Sequence, residues 1–397
     1  MKRVRSESVL RTVFTVGVLS VTAVVAVLLA PRLKLKTVWK PDACAKAFPF
    51  KSMFVELNGG FTRLIGRRLC NNTLRAEYGL MLTRLKGRAV SSEADAAIRF
   101  ARWLKGLDAK FLYVQAPAKA DRAGILHPPV MPHTGNAMAD DFMARLDRAG
   151  VPTLDLRERL ALTPEDVARQ FYRTDHHWNN DAVFSAFGLV ADRLAVLTGS
   201  DVAAVGKLTD AASWKREVWP DCLWGSRGRR TGRLFSGVDD LIVYSPKFET
   251  RMSLEVPSKG IRRFGTFRQT NMWRAKDIRK SDRIEKDAYS YLYVGGLYPM
   301  VCHRNAAAPI RAKVMIIGDS FARPLEAFLS TVVSNLTVVD PRRFAKGETV
   351  ADHILRWRPD VVLELIYTGG FHSGFIGRKQ RGRSVMFDYG LPTANGK

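Results

Sequence analysis

From residue 91 onwards, apolar residues alternate between the spacing of helices and the spacing of buried strands. Ser91 precedes apolar positions at Ala97, Ala101 and Leu104, which lie on one face of a helix, and residues 110–116 (KFLYVQA) form an apolar run typical of a buried strand. The same criteria predict further helices at residues 136–149, 181–198, 324–333 and 348–357, and further strands at residues 151–156, 314–317, 336–340 and 361–366. This alternation predicts an α/β domain with a mostly parallel sheet covered by helices, in the flavodoxin-like style.

The alternation stops between about residues 200 and 305, in a segment rich in Arg, Gly, Trp and Tyr. Two short apolar runs in this segment, at residues 241–244 and 289–294, are predicted to be strands. We therefore expect a domain at residues 90–375 that carries a basic insertion packed over one end of its sheet. A basic, solvated tail is expected at residues 376–397.

Near the N-terminus, residues 12–30 form a run of 19 residues without a charged side chain, preceded by a basic flank that begins at Lys2. The run is just long enough to span a bilayer as a helix, and the basic flank places the N-terminus in the cytoplasm. A retained anchor is favoured over a cleaved signal peptide because a proline directly follows the run. Residues 1–35 are thus predicted to be a cytoplasmic tip and a transmembrane signal anchor, followed by a juxtamembrane segment at residues 36–89.

The charge of the chain narrows the choice of partners. It has 63 Lys and Arg residues against 38 Asp and Glu residues, a formal net charge of +25. This excess indicates anionic surroundings, such as lipid head groups, acidic polysaccharide or nucleic acid. Nucleic acid conflicts with a location outside the cytoplasm, and the chain has no recognisable nucleic-acid module.

The cysteines agree with that location. Cys44, Cys70, Cys222 and Cys302 form no CxxC pair and have no metal-ligand spacing. Of the possible pairings, the one local in sequence joins Cys44 to Cys70 and Cys222 to Cys302. Disulfides are compatible with a compartment outside the cytoplasm, and four unpaired thiols are the alternative.

One stretch, residues 172–180 (YRTDHHWNN), brings a carboxylate and two imidazoles together. If the stretch is extended, Asp175 and His177 point to the same side and His176 points to the other. Such a carboxylate fixes the tautomer of the histidine, whose other nitrogen then acts as a base. The candidate nucleophile is Ser320, in a Gly-Asp-Ser turn between a buried strand and a helix, where N–H groups at the helix start favour an oxyanion.

Each of these signals has a plainer explanation. An extended Asp and His can satisfy each other at a surface, and Ser320 can cap a helix. Metal binding by Asp175, His176 and His177 is disfavoured because adjacent histidines point apart in a strand and no further cluster has zinc-like spacing. We therefore expect no metal and no cofactor.

Two other polar residues follow or lie within apolar strands. Lys119 comes just after the strand at residues 110–116, where it is either an anion contact or a solvated loop lysine. Glu364 lies inside an apolar strand and needs a partner if it is buried, for which an arginine such as Arg342 would serve.

Several blocks of the sequence are similar to one known family. They are residues 116–119 (APAK), 172–178 (YRTDHHW), 223–226 (LWGS) with 231–232, 289–329, 340–342 (DPR) and 359–364 (PDVVLE). Together they resemble the DHHW family, relatives of the SGNH-like alginate O-acetyltransferase proteins of the bacterial cell envelope. The similarity covers roughly residues 90 to 370, and the Asp-His-His-Trp and Asp-Ser-Phe blocks, in that order, are its most specific part.

The resemblance implies an SGNH-hydrolase-like three-layer domain with Ser320 as nucleophile, His177 as general base and Asp175 as the orienting group. It implies an extracytoplasmic O-acyltransferase that takes acetyl groups from a multipass membrane acyltransferase and passes them to a polysaccharide of the cell envelope or a secreted one. The protein is then expected in the bacterial inner membrane as a single-pass protein, with its catalytic domain periplasmic or extracellular. A carbohydrate esterase with the same triad is one alternative, and a non-catalytic glycan-binding or assembly subunit is the other.

Substrate contacts are expected around this triad. Tyr172 is expected to pack beside the dyad and Trp178 to cover it. Arg323 is predicted to contact the substrate, at the position three residues after the serine where relatives often carry an asparagine. Further substrate or oxyanion contacts are predicted for Lys119, Asn305, Gly295 and Gly296. An acceptor-binding wall that faces an anionic glycan or the lipid surface, or else a merely solvated basic loop, is predicted for Arg227, Arg229, Arg230 and Arg233.

Overall fold

The computed structural model of the chain describes residues 51–279, 288–374 and 383–392. The chain divides into two compact units, Met1–Asn58 and Gly59–Lys397. The predicted anchor at residues 12–30 lies outside the described residues, as does Cys44, so the anchor and the Cys44–Cys70 disulfide stay predictions. No helix within the described ranges is long and apolar enough to cross a membrane.

The strands are β1 (Leu69–Cys70), β2 (Thr73–Arg75), β3 (Met81–Leu82), β4 (Lys110–Ala116), β5 (Thr153–Asp155), β6 (Trp214–Leu223), β7 (Asp239–Pro246), β8 (Met252–Val256), β9 (Ile261–Gly265), β10 (Met300–Asn305), β11 (Ile310–Gly318), β12 (Val333–Val339) and β13 (Val361–Tyr367). The helices are α1 (Lys51–Leu64), α2 (Ser91–Lys105), α3 (Gly135–Arg148), α4 (Pro164–Gln170), α5 (Asn180–Thr198), α6 (Val202–Thr209), α7 (Gly228–Thr231), α8 (Arg233–Ser236), α9 (Phe267–Thr270), α10 (Ala275–Arg279), α11 (Ala288–Leu292), α12 (Ala322–Leu329) and α13 (Val350–Trp357).

An eight-stranded sheet, in the order β5-β4-β13-β11-β12-β10-β8-β9, forms the centre of the second unit. The first five strands in this order are parallel, and the last three continue the sheet with antiparallel pairing. The predicted mostly parallel sheet is therefore confirmed. The insertion differs from the prediction, because its strands β8 and β9 belong to the central sheet, while β6 and β7 form a separate two-stranded sheet.

Helices cover both faces of the central sheet, as alternate residues of β11 show. Val314 and Ile316 pack in one apolar cluster with residues of α5 and α12, whereas Met315 and Ile317 pack in a second cluster with residues of α2, α3 and α13. Successive side chains of a strand point to opposite faces, so these two clusters define a helix–sheet–helix arrangement of three layers.

The predicted strand at residues 289–294 is wrong, because residues 288–292 form helix α11. Nearly every residue of the run is buried, so its apolar pattern carries no period that would distinguish a helix from a strand. Helix α5 begins at a side-chain cap, since the Asn179 side chain accepts hydrogen bonds from the N–H groups of Asp181 and Ala182.

The predicted disulfide between Cys222 and Cys302 is wrong. The Cys222 thiol donates to the Pro220 carbonyl oxygen at 3.2 Å, whereas the Cys302 sulfur contacts Thr337 Oγ1 at 3.9 Å. Cys222 lies in the β6–β7 sheet and Cys302 in the central sheet, so their positions in the insertion did not imply proximity.

The expected pairing of Glu364 with Arg342 is also wrong. Glu364 faces the side of the sheet where Tyr389 packs, and its Oε2 accepts a hydrogen bond from the Tyr389 hydroxyl at 2.7 Å. Arg342 instead forms an ion pair with Asp340, two residues away. Burial raises the pKa of the Glu364 carboxyl to about 8.

Candidate active site

Ser320 lies at the carboxyl end of β11, in the turn that leads into α12. This is the edge of a parallel sheet at which ligands ordinarily bind. The turn needs a glycine at Gly318, since a Cβ atom there would lie 2.5 Å from the Cβ of Ala322. Asp319 closes the turn, because its carboxylate accepts a hydrogen bond from the Phe321 N–H at 2.8 Å.

The Asp-His-His-Trp stretch is a bent loop and not an extended strand, which corrects the prediction. Phe171 and Trp178 form an antiparallel bridge, and the Tyr172 N–H donates to the His177 carbonyl oxygen at 3.3 Å. The loop between them folds back on itself, so the two-residue alternation of a strand does not apply to its side chains.

Two buried charged residues hold this loop from outside. Lys119 donates through Nζ to the carbonyl oxygens of Tyr172, Arg173 and Asp175, at 2.6, 2.7 and 2.8 Å. On the other side, Asp239 accepts hydrogen bonds from the backbone N–H groups of Arg173 and Thr174, at 2.8 and 2.7 Å.

Lys119 is 3% exposed, and its three acceptors are all backbone atoms of the loop. The predicted alternatives, an anion contact and a solvated loop lysine, are therefore both wrong. A lysine deep in the protein needs polar partners for its three N–H donors, and the loop carbonyls supply them.

Asp175, His177 and Ser320 form a continuous row of hydrogen bonds. Asp175 Oδ1 lies 2.6 Å from His177 Nδ1, and His177 Nε2 lies 2.7 Å from Ser320 Oγ. Because a carboxylate accepts but does not donate, Nδ1 carries the proton and Nε2 presents its lone pair to the serine hydroxyl. The row has the geometry of a nucleophile, a base and an orienting carboxylate.

The Asp175 carboxylate also accepts hydrogen bonds from the main chain. Its Oδ1 accepts from the N–H groups of His176 and His177, at 2.8 and 3.1 Å, and its Oδ2 accepts from the Ser226 N–H at 2.6 Å. Burial alone would raise the pKa of the Asp175 carboxyl, but its electrostatic and hydrogen-bonding interactions with the two neighbouring histidines hold that pKa well below its usual value. Asp175 is thus ionised and fixed in direction.

His176 was expected on the far side of a strand, and this expectation is wrong. Its Nδ1 lies 3.1 Å from both Asp175 Oδ1 and Ser226 Oγ, and its ring centre is 3.8 Å from that of His177. Burial, together with the neighbouring His177, lowers the pKa of His176 to about 4, so the ring is neutral at pH 7. It supports the carboxylate, while His177 faces the serine.

Aromatic rings surround His177. Tyr289 stacks on the imidazole with ring centres 4.0 Å apart, and Phe321 lies 5.1 Å from it. Trp178 donates through Nε1 to the Tyr289 hydroxyl at 3.1 Å and is completely buried, so the predicted substrate contact at Trp178 is wrong. The ring of Tyr172 packs edge-on against that of Tyr289, with ring centres 6.1 Å apart, so Tyr289 lies between Tyr172 and the His177 ring.

Two further predicted substrate contacts are internal structural groups. Arg323 is 1% exposed and forms an ion pair with Glu326 at 3.0 Å. Asn305 donates through its side chain to the carbonyl oxygens of Ser330 and Thr331, at 3.1 and 3.0 Å. Neither side chain is available to a substrate, so both predictions are wrong.

Gly295 and Gly296 form a tight turn with positive φ angles of 75° and 152°. The Gly295 carbonyl oxygen accepts a hydrogen bond from the Tyr298 hydroxyl at 3.0 Å, and a Cβ atom at Gly295 would strike the ring of Trp273. These contacts explain the glycine at position 295. A role for either residue as an oxyanion donor stays a prediction.

The four arginines of the insertion do not form one exposed wall. Arg227 donates to the Met81 carbonyl oxygen at 2.8 Å, and Arg229 donates to the Trp224 carbonyl oxygen at 2.9 Å. Arg233 lies over the ring of Trp224 at 5.3 Å. Two of the four guanidinium groups are therefore engaged by the main chain, and their role towards a glycan stays a prediction.

The ligand atoms of Asp175, His176 and His177 lie within 4.8 Å of one another. The stated reason for disfavouring a metal, that the histidines point apart, is thus wrong. However, His177 Nδ1 is hydrogen-bonded to that carboxylate and His176 Nδ1 to Ser226 Oγ, and the carboxylate already accepts three main-chain N–H groups. The donor set is arranged to share protons, and a metal ion would have to displace these contacts.

Sequence reasoning missed the part of the insertion that fixes Asp175. Ser226 contributes its N–H to the carboxylate, and Gly225 lies so close that a Cβ atom there would be 2.4 Å from the Asp175 Cβ. Both residues fall in the LWGS block that carries the family resemblance, which was the available signal. Tyr289, which stacks on the His177 ring, lies in another of those blocks.

A three-layer α/β domain with a serine, a histidine and an aspartate in hydrogen-bonded order at the carboxyl edge of its parallel strands defines a hydrolase-like class of protein. Within it, residues 80–216 match the family model described as "SGNH hydrolase-like domain, acetyltransferase AlgX". The resemblance stated from the sequence is confirmed by this match. The matched region contains Lys119, Asp175 and His177 and ends before Ser320.

Solved structures give the same fold. Bacillus cereus PatB1 superposes with a TM-score of 0.62 at 18% identity, over 80% of this chain and 99% of that chain. A DHHW family protein from Eubacterium siraeum DSM 15702 superposes with a TM-score of 0.55 at 16% identity, over 76% of this chain and 92% of that chain. No curated protein matches the sequence. At these identities the structural likeness establishes the fold.

Proposed function

We propose that the protein is an extracytoplasmic O-acyltransferase that transfers an acyl group, an acetyl group in the simplest case, to a hydroxyl of a cell-envelope or secreted polysaccharide. The observation that carries the proposal is the row of hydrogen bonds from Asp175 through His177 to Ser320, with distances of 2.6 and 2.7 Å. The similarity of residues 80–216 to an acetyltransferase family supports acyl transfer as the reaction.

In the first half-reaction, Ser320 Oγ attacks the carbonyl carbon of the acyl donor while His177 Nε2 accepts the hydroxyl proton. Asp175 stabilises the imidazolium that forms. The proton then passes from Nε2 to the leaving group as its bond to the carbonyl carbon breaks, which leaves the acyl group as an ester on Ser320. We assign the Ser320 N–H, which has no acceptor within the described part of the chain, to the oxyanion of the intermediate.

In the second half-reaction, His177 Nε2 takes the proton of a glycan hydroxyl, whose oxygen attacks the Ser320 ester. The bond to Ser320 Oγ breaks, and the proton returns to that oxygen, so the enzyme is regenerated and the acyl group is on the glycan. Water in place of the hydroxyl gives an esterase reaction with the same residues. The neutral His176 beside the dyad adds no competing positive charge near the imidazolium at neutral pH.

The proposal includes the location and partners expected from the sequence. An N-terminal anchor would hold the catalytic domain at the outer side of the inner membrane, and a multipass acyltransferase in that membrane would supply the acyl group. The strongly basic chain suits an acidic polysaccharide as acceptor.

The first experiment tests acyl-enzyme formation. We expect the wild-type protein to hydrolyse a chromogenic acetyl ester and to gain the mass of one acetyl group on the peptide that contains Ser320. Ser320→Ala should abolish both signals. Ser185→Ala is a matched control, since Ser185 lies on α5 and its hydroxyl contacts only the preceding helical turn. Equal ester hydrolysis by the two variants would refute the role of Ser320.

The second experiment separates the proposed transferase from its alternatives. An acidic polysaccharide is added to the acetyl ester, and both polymer-bound ester and free acetate are measured. Polymer-bound ester that depends on Ser320 supports a transferase, whereas free acetate alone indicates an esterase. If the wild-type protein binds the polysaccharide but forms no acyl-enzyme, it is a non-catalytic glycan-binding subunit.

A further inference from the structure

A cavity of about 310 Å³ lies on the face of the central sheet that α13 covers, beside the C-terminal end of that helix. Its walls come from residues 302–304 of β10, 313–315 of β11 and 335–337 of β12, and from Arg356 and Trp357 of α13. The volume lies at the small end of the range of ordinary ligand sites.

This cavity is separate from the candidate active site. Lys313, Val314 and Met315 lie in the middle of β11, whereas Ser320 follows its end, and Pro359 of the lining lies just before the start of β13. Six residues of extended chain between Val314 and Ser320 correspond to about 20 Å. The cavity therefore lies towards the opposite edge of the sheet from the catalytic row.

The walls of the cavity carry positive charge without a counter-charge. Arg304, Lys313 and Arg356 are exposed, and the lining contains no aspartate or glutamate. None of these three side chains forms an ion pair within residues 51–279, 288–374 and 383–392. Arg304 is held in place, since its Nη1 donates to Asn335 Oδ1 at 2.7 Å.

Two carboxylates lie next to lining residues in the sheet or along the chain. Glu255, opposite Cys302 in the sheet, forms an ion pair with Arg262 at 3.2 Å. Asp360 accepts the backbone N–H of Lys313 at 2.7 Å, and among the described residues it forms no ion pair with the Lys313 ammonium group. With three cations and no carboxylate in its lining, the cavity has a positive field suited to an anion.

Trp357 adds an aromatic surface to the lining of the cavity. The indole is half-buried against the core and its Nε1 is buried, so the part of the ring that reaches the cavity is apolar. An aromatic face beside hydrogen-bonding groups and cations suits a sugar ring that carries a carboxylate. Sites for single-stranded nucleic acid use several aromatic side chains along a basic track, and this cavity offers one aromatic ring.

We propose that this cavity is a second, non-catalytic binding site for an anionic polysaccharide, in which Arg304, Lys313, Arg356 and Trp357 hold one acidic sugar unit. The inference rests on the proposed function in one respect, because the bound polymer is taken to be the acyl acceptor. A chain held here would keep its distant units at a high local concentration around Ser320. Chains too short to reach both sites would gain nothing.

The binding experiment compares two variants with the same loss of charge. In the first, Arg304, Lys313 and Arg356 are replaced by glutamine. In the control, glutamine replaces Arg99, Arg193 and Lys207, which are exposed and lie outside the cavity. We expect the first variant to bind polygalacturonate roughly tenfold more weakly at low salt, from three exposed charge contacts, and the control to bind almost as the wild type does.

Steady-state kinetics with long and short acceptors separate binding in the cavity from general charge attraction. With a long polygalacturonate as acceptor, the cavity variant should raise KM and leave kcat unchanged. With a galacturonate monomer, neither constant should differ from the wild type, and hydrolysis of the small acetyl ester should also be unchanged. A thermal melt of each variant checks that folding is intact.

Three results would overturn the proposal. The first is an equal loss of polygalacturonate binding in the cavity and control variants. The second is an equally large loss when the polymer is polygalacturonate whose carboxyl groups have been reduced to alcohols, which carries no charge. The third is a stronger cavity-dependent affinity for phosphate, anionic vesicles or an oligonucleotide than for polygalacturonate. Failure of the proposed function gives a different result from failure of this proposal. If the polymer binds in a cavity-dependent way but Ser320 is not acylated, the binding site is supported and the transferase function is refuted.

Discussion

Replacing Asp175 by asparagine is the most informative perturbation of the candidate site, because both carboxylate oxygens accept hydrogen bonds. If the amide nitrogen takes the place of Oδ2, it faces the Ser226 N–H, formerly 2.6 Å away. If it takes the place of Oδ1, it faces the N–H groups of His176 and His177 and the Nδ1–H of His177. The first orientation creates one donor–donor conflict and the second creates three, so we expect the first.

In that orientation the side-chain oxygen still accepts from His177 Nδ1, so the tautomer is kept and only the charge is lost. The interaction of an imidazolium with a carboxylate about 4 Å away is worth about 4 kcal/mol at an effective dielectric constant of 20. Since about 1.4 kcal/mol corresponds to a factor of ten, kcat for acylation should fall about 10³-fold. The conflict with Ser226 should lower the free energy of unfolding by about 1–3 kcal/mol.

The assay is single-turnover acetylation of Ser320, followed by mass spectrometry, with urea unfolding measured in parallel. Asp192→Asn serves as the control, because Asp192 is an exposed carboxylate on α5. A loss of acylation rate below tenfold for Asp175→Asn would refute the electrostatic role assigned to the carboxylate. Unchanged stability would show that the conflict with Ser226 is relieved in some other way.

Three further substitutions test the supporting structure. Gly225→Ala should lower both the acylation rate and the stability of the protein, since the new Cβ would lie 2.4 Å from the Cβ of Asp175. Gly188→Ala, in open space within α5, should instead stabilise the protein by about 0.5–1 kcal/mol. Thermal unfolding should therefore show a lower melting temperature for the first variant and a higher one for the second. Lys119→Met leaves the carbonyl oxygens of Tyr172 and Asp175 without a donor, while that of Arg173 keeps the Met81 N–H, and it should reduce the free energy of unfolding by about 3–5 kcal/mol; a variant as stable as the wild type in urea would contradict the role assigned here. Glu364 has a pKa raised from 4.5 to about 8, so its contribution to stability is present below pH 4.5 and is lost as the pH rises through about 8; Glu364→Gln should remove that decline, as measured by unfolding across this range.

The central layers of the fold could be predicted from sequence because burial on both faces leaves a local signal. β4 agrees with its prediction residue for residue, and α5 differs by one residue at its start. The arrangement of the insertion was harder to predict from sequence. Its strand β8 pairs with β9 on one side and, on the other, with β10, whose residues are about 50 positions away. Nothing local in their sequences states which sheet edge they join.

The identities of the three central site residues were predictable, but the shape of the loop was not. Asp175, His177 and Ser320 follow from the chemistry that each residue type supports. The bend at residues 172–178 depends on Lys119 and Asp239, which are 53 and 66 positions from the loop residues they hold. Because of this bend, the two-residue alternation of a strand predicts the wrong side for His176.

The polar residues assigned wrongly to substrate share one physical feature. Lys119, Arg323 and Asn305 are all buried, and each donates its hydrogen bonds to internal acceptors. A sequence motif shows that a polar side chain is present but not whether water reaches it. Burial decides the role, since a buried donor must be satisfied inside the protein.

These internal hydrogen bonds explain how the row of Asp175, His177 and Ser320 is kept in order without a substrate. Asp175 receives N–H groups from its own loop and from Ser226 in the insertion, while Lys119 fixes the carbonyls on the other side of the same backbone. The carboxylate that directs His177 is thus oriented by two segments distant in sequence, and neither segment can shift without leaving a buried polar group unpaired. The insertion therefore acts first as part of the support for the proposed base His177, because positioning to within a few tenths of an ångström is what a preorganised site requires.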